Sequence, residues 1–301
     1  MNNIKKLGFI ITAILINKIY KIFNLSKKHK YKYFSIYMPA EHALPTYKKF
    51  HKNYDRFLPH LVKYFKSAKY TVVDIGANIG DSLAGMIEKN SKLNFICIEA
   101  DNNFYDYLKK NFQIIKKNIK NAKVKIINEF IGKNITNIFL KGKNGTKKAE
   151  ININGGGGIK CLPLDKILSN TNNIRLIKTD TDGFDYDVLN SSISTIKKNK
   201  PLIFFEYQFE NKYKIYSYLK TFKQLEKIGY CDWVIFDNYG TIILRTNQLK
   251  IIKQLTNYIN LQNNLSGTRT IYYFDILTCV NKNSKFINKI LNDYHPKNLI
   301  N

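Results

Sequence analysis

Beyond residue 70 the chain alternates short apolar runs with longer stretches in which apolar positions recur every three or four residues. The short runs predict strands at 71–76, 94–99, 124–131, 174–180, 201–207, 232–237 with 241–246, and 271–280. The longer stretches predict amphipathic helices near 81–90, 102–118, 184–197, 212–228, 247–260 and 284–293. Such alternation belongs to an α/β fold in which a largely parallel sheet is covered by helices on both faces. Residues 135–153 carry Gly142-Lys143-Asn144-Gly145 at their middle, which predicts a β-hairpin inserted after the third strand. Gly155 to Gly158 form a joint; with no Lys-Ser or Lys-Thr pair after them they are not a phosphate loop.

The first seventy residues have a different pattern. Leu7 to Ile16 is apolar but for Thr12, is flanked by Lys5, Lys6, Lys18 and Lys21, and continues through Ile19, Ile22 and Phe23. It is short of the roughly 20 apolar residues that a spanning helix needs. No small-x-small cleavage site follows, so it is read as a basic helix lying on an anionic membrane face through residues 4–23. Pro39, Glu41, His42, Pro45, Asp55, Arg56, Pro59 and His60 among aromatics suggest irregular chain and short helices that can roof a pocket.

At 301 residues the chain is long enough for one main domain with an extension. The division expected is a basic amphipathic segment over 1–35 and a domain over 36–301, comprising a cap at 36–70 and a core at 71–301. The net charge of +27 invites a nucleic-acid partner, yet only Arg56, Arg175, Arg245 and Arg269 are arginine. Arginine supplies most bidentate phosphate and guanine contacts, so no specific nucleic acid is expected. Cys97, Cys161, Cys231 and Cys279 have no CxxC spacing, and they read as reduced cysteines of a cytoplasmic protein.

The chemistry centres on Thr71 to Gly80, where a strand carrying Asp74 runs into Gly76, Ala77, Asn78 and Gly80 and then into a helix. This is the shape of a nucleotide-binding first β/α turn, and Gly76 is where a cofactor would press against backbone. Nineteen residues beyond Gly80 the next strand ends in Glu99-Ala100, placing an acid where a ribose diol can be held. Asp74 would repel a pyrophosphate but attract a sulfonium or an amino group. The set therefore favours S-adenosylmethionine over a dinucleotide.

A second stretch, Ile177-Lys178-Thr179-Asp180-Thr181-Asp182-Gly183, ends a buried strand in two acids, and the strand Leu202 to Phe205 ends in Glu206. Strand carboxyl ends line the ligand crevice of an open α/β sheet, so Asp180, Asp182 and Glu206 should converge beside the cofactor's reactive end. Asp182 could equally cap a helix. Lys178 is costly to bury unless paired and is expected to be neutralised by one of these acids. His42 is added as a catalytic candidate from the cap.

These motifs resemble the FkbM family of class I S-adenosylmethionine-dependent methyltransferases. The resemblance rests on Val72 to Gly80, on Ile98-Glu99 with Leu108 and Asn111, on Leu162-Pro163-Leu164-Asp165, and on Ile177 to Gly183 followed by Phe205-Glu206. It covers residues 36 to 280. The chain departs from the more frequent Glu-Gly-x-Glu pattern with Asp182-Gly183-Phe184-Asp185. The resemblance implies a Rossmann-like seven-stranded sheet with an antiparallel last strand, and O-methylation of a hydroxyl, often of a sugar in a surface glycan or glycolipid. A sugar hydroxyl must lose its proton, so either a carboxylate base or a magnesium ion held by several acids is expected, the base being favoured. The alternatives are a nucleic-acid methyltransferase and a non-catalytic nucleoside- or glycan-binding module. The first lacks its Asn-Pro-Pro-Tyr or Asp-Pro-Pro-Tyr motif where Asp180 to Gly183 stand; the second would be expected to have lost acids that are all present.

Overall fold

The computed structural model describes residues 22–23, 25–133, 138–141, 148–151, 160–266 and 269–294. The expected membrane-surface helix therefore lies outside the described residues, apart from Ile22 and Phe23, as does the glycine joint. No helix among the described residues is long and apolar enough to cross a membrane.

The first strands among the described residues form an antiparallel pair, β1 (Lys27–Lys30) and β2 (Ser35–Met38). The boundary expected at residue 35 falls within this pair. Its signal is a period of two in Ser35-Ile36-Tyr37-Met38, where Ile36 and Met38 are buried and their neighbours are not. Two short helices follow as expected, α1 (Leu44–Phe50) and α2 (Phe57–Val62).

The central sheet is built from β3 (Thr71–Ile75), β4 (Asn94–Ile98), β5 (Lys123–Ile127), β8 (Ile174–Thr179), β9 (Leu202–Gln208), β10 (Tyr230–Asp237), β11 (Ile242–Thr246) and β12 (Tyr273–Val280). A separate hairpin, β6 (Ile138–Lys141) with β7 (Lys148–Ile151), interrupts the series where the sequence pattern placed one. The sheet order is β11-β10-β12-β9-β8-β3-β4-β5. Strands β3, β4, β5, β8 and β9 are parallel, and β12 runs antiparallel between β9 and β10. The sheet has eight strands, not seven, because β11 turns back on β10 and adds an antiparallel edge.

Every residue of β3 and β9 is buried, as parallel strands covered on both faces require. Alternate residues feed separate cores. Val72 joins the core beneath α2, α3 (Asp81–Lys89), α4 (Asn102–Asn118) and α10 (Ser284–Tyr294), while Val73 and Ile75 join the opposite one. That second core is closed by α6 (Asp185–Asn190), α7 (Ile193–Asn199), α8 (Lys212–Ile228) and α9 (Leu249–Leu265), with the single turn α5 (Leu164–Ile167) at its side. Helix α4 begins where the Asp101 carboxylate accepts the N–H groups of Asn103 and Phe104, and it buries Phe104, Leu108, Asn111 and Ile115 on one stripe. Helix α8 is capped by Asn211 and stops at Gly229, whose φ of 103° is the left-handed conformation that glycine accepts without strain. The result for function is that β3, β4, β8 and β9 all end at one edge of the sheet.

Candidate active site

Strand β3 leaves the sheet through Gly76, and β4, β8 and β9 contribute Glu99, Asp180 and Glu206. Gly76 has φ 70°, and a Cβ there would lie 1.9 Å from the carbonyl oxygen of Asp180. The neighbouring strand end alone is enough to require the glycine, which also lines the cavity described next. Gly80 is likewise explained by packing, since a Cβ would stand 2.7 Å from Leu108.

Two cavities meet at this edge. The first, about 570 Å³, is lined by Gly76, Asn78, Glu99, Ala100 and Asp101 on its polar side and by Ile75, Ile98, Phe104, Phe130 and Ile131 on its apolar side. Glu99 is the fixed point of the polar side. One carboxylate oxygen accepts the Asn78 N–H at 2.7 Å and the other the Asp101 N–H at 2.8 Å. Each oxygen keeps a second lone pair for a ligand. Burial pushes the Glu99 carboxyl up to about 7, against the pull of those two N–H donors.

Asp74, Ala77 and Gly80 do not line this cavity. Asp74 is fully buried and lies 3.0 Å from the Lys178 ammonium, its register partner across β3 and β8. The sequence reading, in which Asp74 faces a cationic cofactor, is corrected here: its charge is answered within the protein. Lys178 also donates to the Gly76 carbonyl at 3.1 Å and approaches Asp180 at 3.7 Å. Burial works against its charge, but Asp74 and Asp180 outweigh burial and hold its proton beyond the usual lysine range.

The second cavity encloses about 1120 Å³ and shares Gly76, Asn78, Asp180 and Asp182 with the first. The cap roofs this cavity through His42, Leu44, Tyr47, Tyr54 and Asp55. It is held down at the far side by His51, whose ring stacks on Tyr239 at 3.7 Å, and by Gly240, where a Cβ would meet the Asn53 carbonyl. Glu206 belongs to this second cavity. Its Oε1 accepts from Gln208 Nε2 at 3.0 Å. Burial first, and then the charges of Asp180, Asp182 and Asp185, drive its carboxyl well above the ordinary carboxylate range. Asp180, Asp182 and Glu206 thus stand together as the sequence indicated.

The N-cap of α6 is Phe184, with no side-chain cap hydrogen bond. Asp185 instead ties the turn, accepting from Thr179 Oγ1 at 2.9 Å, from the Thr181 N–H at 3.3 Å and from the Tyr218 hydroxyl at 3.3 Å. His42 accepts the Leu44 N–H on Nδ1, which leaves the proton on Nε2, directed at Asn78 Oδ1 3.3 Å away. Burial lowers its pKa. Those bonds give His42 the work of positioning Asn78, and its proton-accepting nitrogen is occupied.

Three acids escaped the sequence reading of the site. Asp55 sits at φ 56° with its carboxyl pushed up to about 7 by burial and by Asp81. Asp81 opens α3 and lines the second cavity. Asp275 lies opposite Glu206 in register and lines a chamber next to Asp55 and Lys178. Of these, Asp55 lies in the segment read from sequence as a pocket roof, without a role of its own. No three of the described His, Cys, Asp or Glu side chains are grouped so as to hold a metal ion.

A family model described as "Methyltransferase FkbM domain" matches residues 74–231. No curated protein matches the chain. Among solved structures, similarity extends to a methyltransferase FkbM from Methylobacillus flagellatus KT, at 18% identity over 55% of this chain and 48% of that one, with a TM-score of 0.36. An O-methyltransferase from Bacillus cereus in complex with SAH is 12% identical over 75% of this chain and 80% of that one, with a TM-score of 0.43. A precorrin-6y C5,15-methyltransferase from Geobacter metallireducens GS-15 is 11% identical over 74% and 85% of the two chains, with a TM-score of 0.38.

Proposed function

The chain belongs to the FkbM methyltransferase family, and from that premise we propose that it transfers a methyl group from S-adenosylmethionine to a hydroxyl, that of a sugar in a surface glycan or glycolipid precursor. The observation that carries the reading is the pair of cavities joined at Gly76, Asn78, Asp180 and Asp182. The first suits a nucleoside, with an anchored carboxylate at one side and apolar walls for a base at the other. When bound, the cofactor supplies an electrophilic methyl group on a sulfonium. The residues shared by both cavities lie where donor and acceptor must come into line, and alignment alone can lower a barrier by several kcal/mol.

Asp180 and Asp182 are the carboxylates at that junction and take the role of proton acceptor for the attacking hydroxyl. Glu206, at the same end of the sheet, faces the acceptor with the carboxylate oxygen that Gln208 leaves unengaged. Lys178 ties the ends of β3 and β8 together beneath them and so positions Asp180. The scarcity of arginine and the acids around Asp180 disfavour a phosphodiester acceptor. The basic segment over residues 4–23 would bring the protein to an anionic membrane face where lipid-linked glycan is made.

Calorimetry with S-adenosylhomocysteine and with NAD tests the cofactor, and binding of the first alone is expected. Mass spectrometry of surface glycans from a deletion strain tests the acceptor: one sugar should lose a methyl increment, and an unchanged glycan profile refutes the assignment. Vesicle sedimentation of the full chain and of a variant lacking residues 1–21 tests the membrane contact, which fails if the two sediment alike.

A further inference from the structure

The second cavity is an acidic site in a strongly basic molecule. Asp55, Asp81, Asp180, Asp182 and Glu206 line it against one lysine, Lys178, in a chain of net charge +27. That lysine is already engaged by Asp74, and Lys48 reaches Asp55 only at 3.9 Å. Asp180 and Asp182 also wall the first cavity, where the cofactor's own positive groups can answer them. Asp55, Asp81 and Glu206 do not, and Asp275 adds a further acid in the adjoining chamber.

An independent observation shows that this acidity faces a ligand. Glu206 is 3% exposed and lines the cavity, yet its Oε2 has no hydrogen-bond partner among the described residues. A buried polar atom left in that state costs free energy that a donor on the ligand would recover. A phosphate or carboxylate on the acceptor would be repelled, and a neutral hydroxyl would satisfy Oε2 without offsetting the surrounding charge. A metal ion finds no set of three ligands among the described residues. Tyr47, Tyr54, Tyr239, Tyr272 and Tyr273 complete the wall, and the faces of such rings attract an ammonium as well as a sugar.

We propose that the acceptor held in this cavity carries a protonated amino group, as an amino sugar does, beside the hydroxyl that is methylated. The inference rests on the O-methyl transfer reading above and narrows its substrate to a cationic class.

The test uses the full chain saturated with S-adenosylhomocysteine in neutral buffer. Saturation-transfer NMR compares methyl glucosaminide, methyl glucoside and methyl glucuronide as cationic, neutral and anionic probes of similar shape. The amino glycoside should bind about ten- to a hundredfold more tightly than the neutral one, the range for hydrogen bonds to charged groups, with the glucuronide weakest. Asp55→Asn combined with Glu206→Gln keeps size while removing charge, and it should abolish the preference. Amino and neutral probes that bind alike, or that both fail to bind, overturn the proposal, as does a preference that survives in the double variant. Calorimetry on the same sample separates the two levels. Binding of S-adenosylhomocysteine without cation preference sinks this inference alone, whereas its absence brings down the methyltransferase reading as well.

Discussion

Replacing Lys178 by Met should destabilise the protein in a way that depends on pH. The ammonium is 5% exposed and pairs with Asp74, which is wholly buried. Breaking a buried pair from one side costs about 3–5 kcal/mol, because the remaining charge is left without compensation. Asp74 has one escape, which is to bind a proton, and that sets the ceiling. At pH 7 the gap to an unfolded aspartate near 3.9 is about 3 pH units, and at about 1.4 kcal/mol per unit the ceiling is about 4 kcal/mol. At pH 5 the same gap is about one unit, so the ceiling falls to about 1.5 kcal/mol. The sign follows from linkage. In the variant the folded pKa of Asp74 lies above the unfolded one, so the folded state holds more protons and gains stability as pH falls through that window. Urea unfolding of Lys178→Met and the parent chain, at pH 7 and pH 5, reads the difference, and Asp55, Glu99 and Asp275, whose charged forms Lys178 also favours, add to it with the same sign. Asp74→Leu with Lys178→Met should recover most of the loss, since a buried ion pair is often replaceable by apolar residues. A deficit that is the same at both pH values, or a double variant as weak as the single one, would refute the reasoning.

Glu99→Ala should weaken S-adenosylhomocysteine binding by about 1.5–3 kcal/mol through lost hydrogen bonds to a carboxylate; unchanged affinity in calorimetry means that Glu99 does not meet the cofactor. Asp180→Asn and Asp182→Asn should lower turnover by more than they weaken that affinity, the mark of an interaction strengthened in the transition state, and near-normal turnover in both removes them from the chemistry. Asp55, whose carboxyl burial and Asp81 push up to about 7, can pair with the acceptor's ammonium only once deprotonated, so kcat/KM should rise with pH through that value. Asp55→Asn should erase this ionisation from the pH profile, and a profile that keeps it assigns the ionisation to another group.

Much of this was legible because periodicity and local turn chemistry carry it. Glu99 could be placed from sequence because β4 reads as an apolar run whose first acid marks its end; Asp180 follows β8 in the same way beyond Lys178, while Glu206 stands inside β9, two residues before its end. The eighth strand was harder to count. Ile242 to Thr246 alternates half-buried with exposed positions, so it reads as the return arm of a hairpin, and only its pairing on β10 makes it a sheet member. What the sequence hid is which polar residues serve one another. Asp74 and Lys178 are over a hundred positions apart, and nothing local says that they are register partners. The second reason for a glycine at 76 was hidden in the same way, since the carbonyl that excludes a Cβ there belongs to Asp180.

Asp55 shows where this limit bears on function. It lies in irregular chain, takes a positive φ that aspartate tolerates better than most residues, and acquires its raised pKa from burial and from Asp81, which enters from a different element. None of these properties is local to its neighbours in sequence. Strand-end acids lie on the rigid sheet and are found by pattern. The acids that the cap and β12 bring to this cavity and to the chamber beside it are found only once the chain is folded. The division follows the work the two sets do in this reading: the sheet holds the cofactor, whose chemistry is common to the family, and the cap closes over the acceptor.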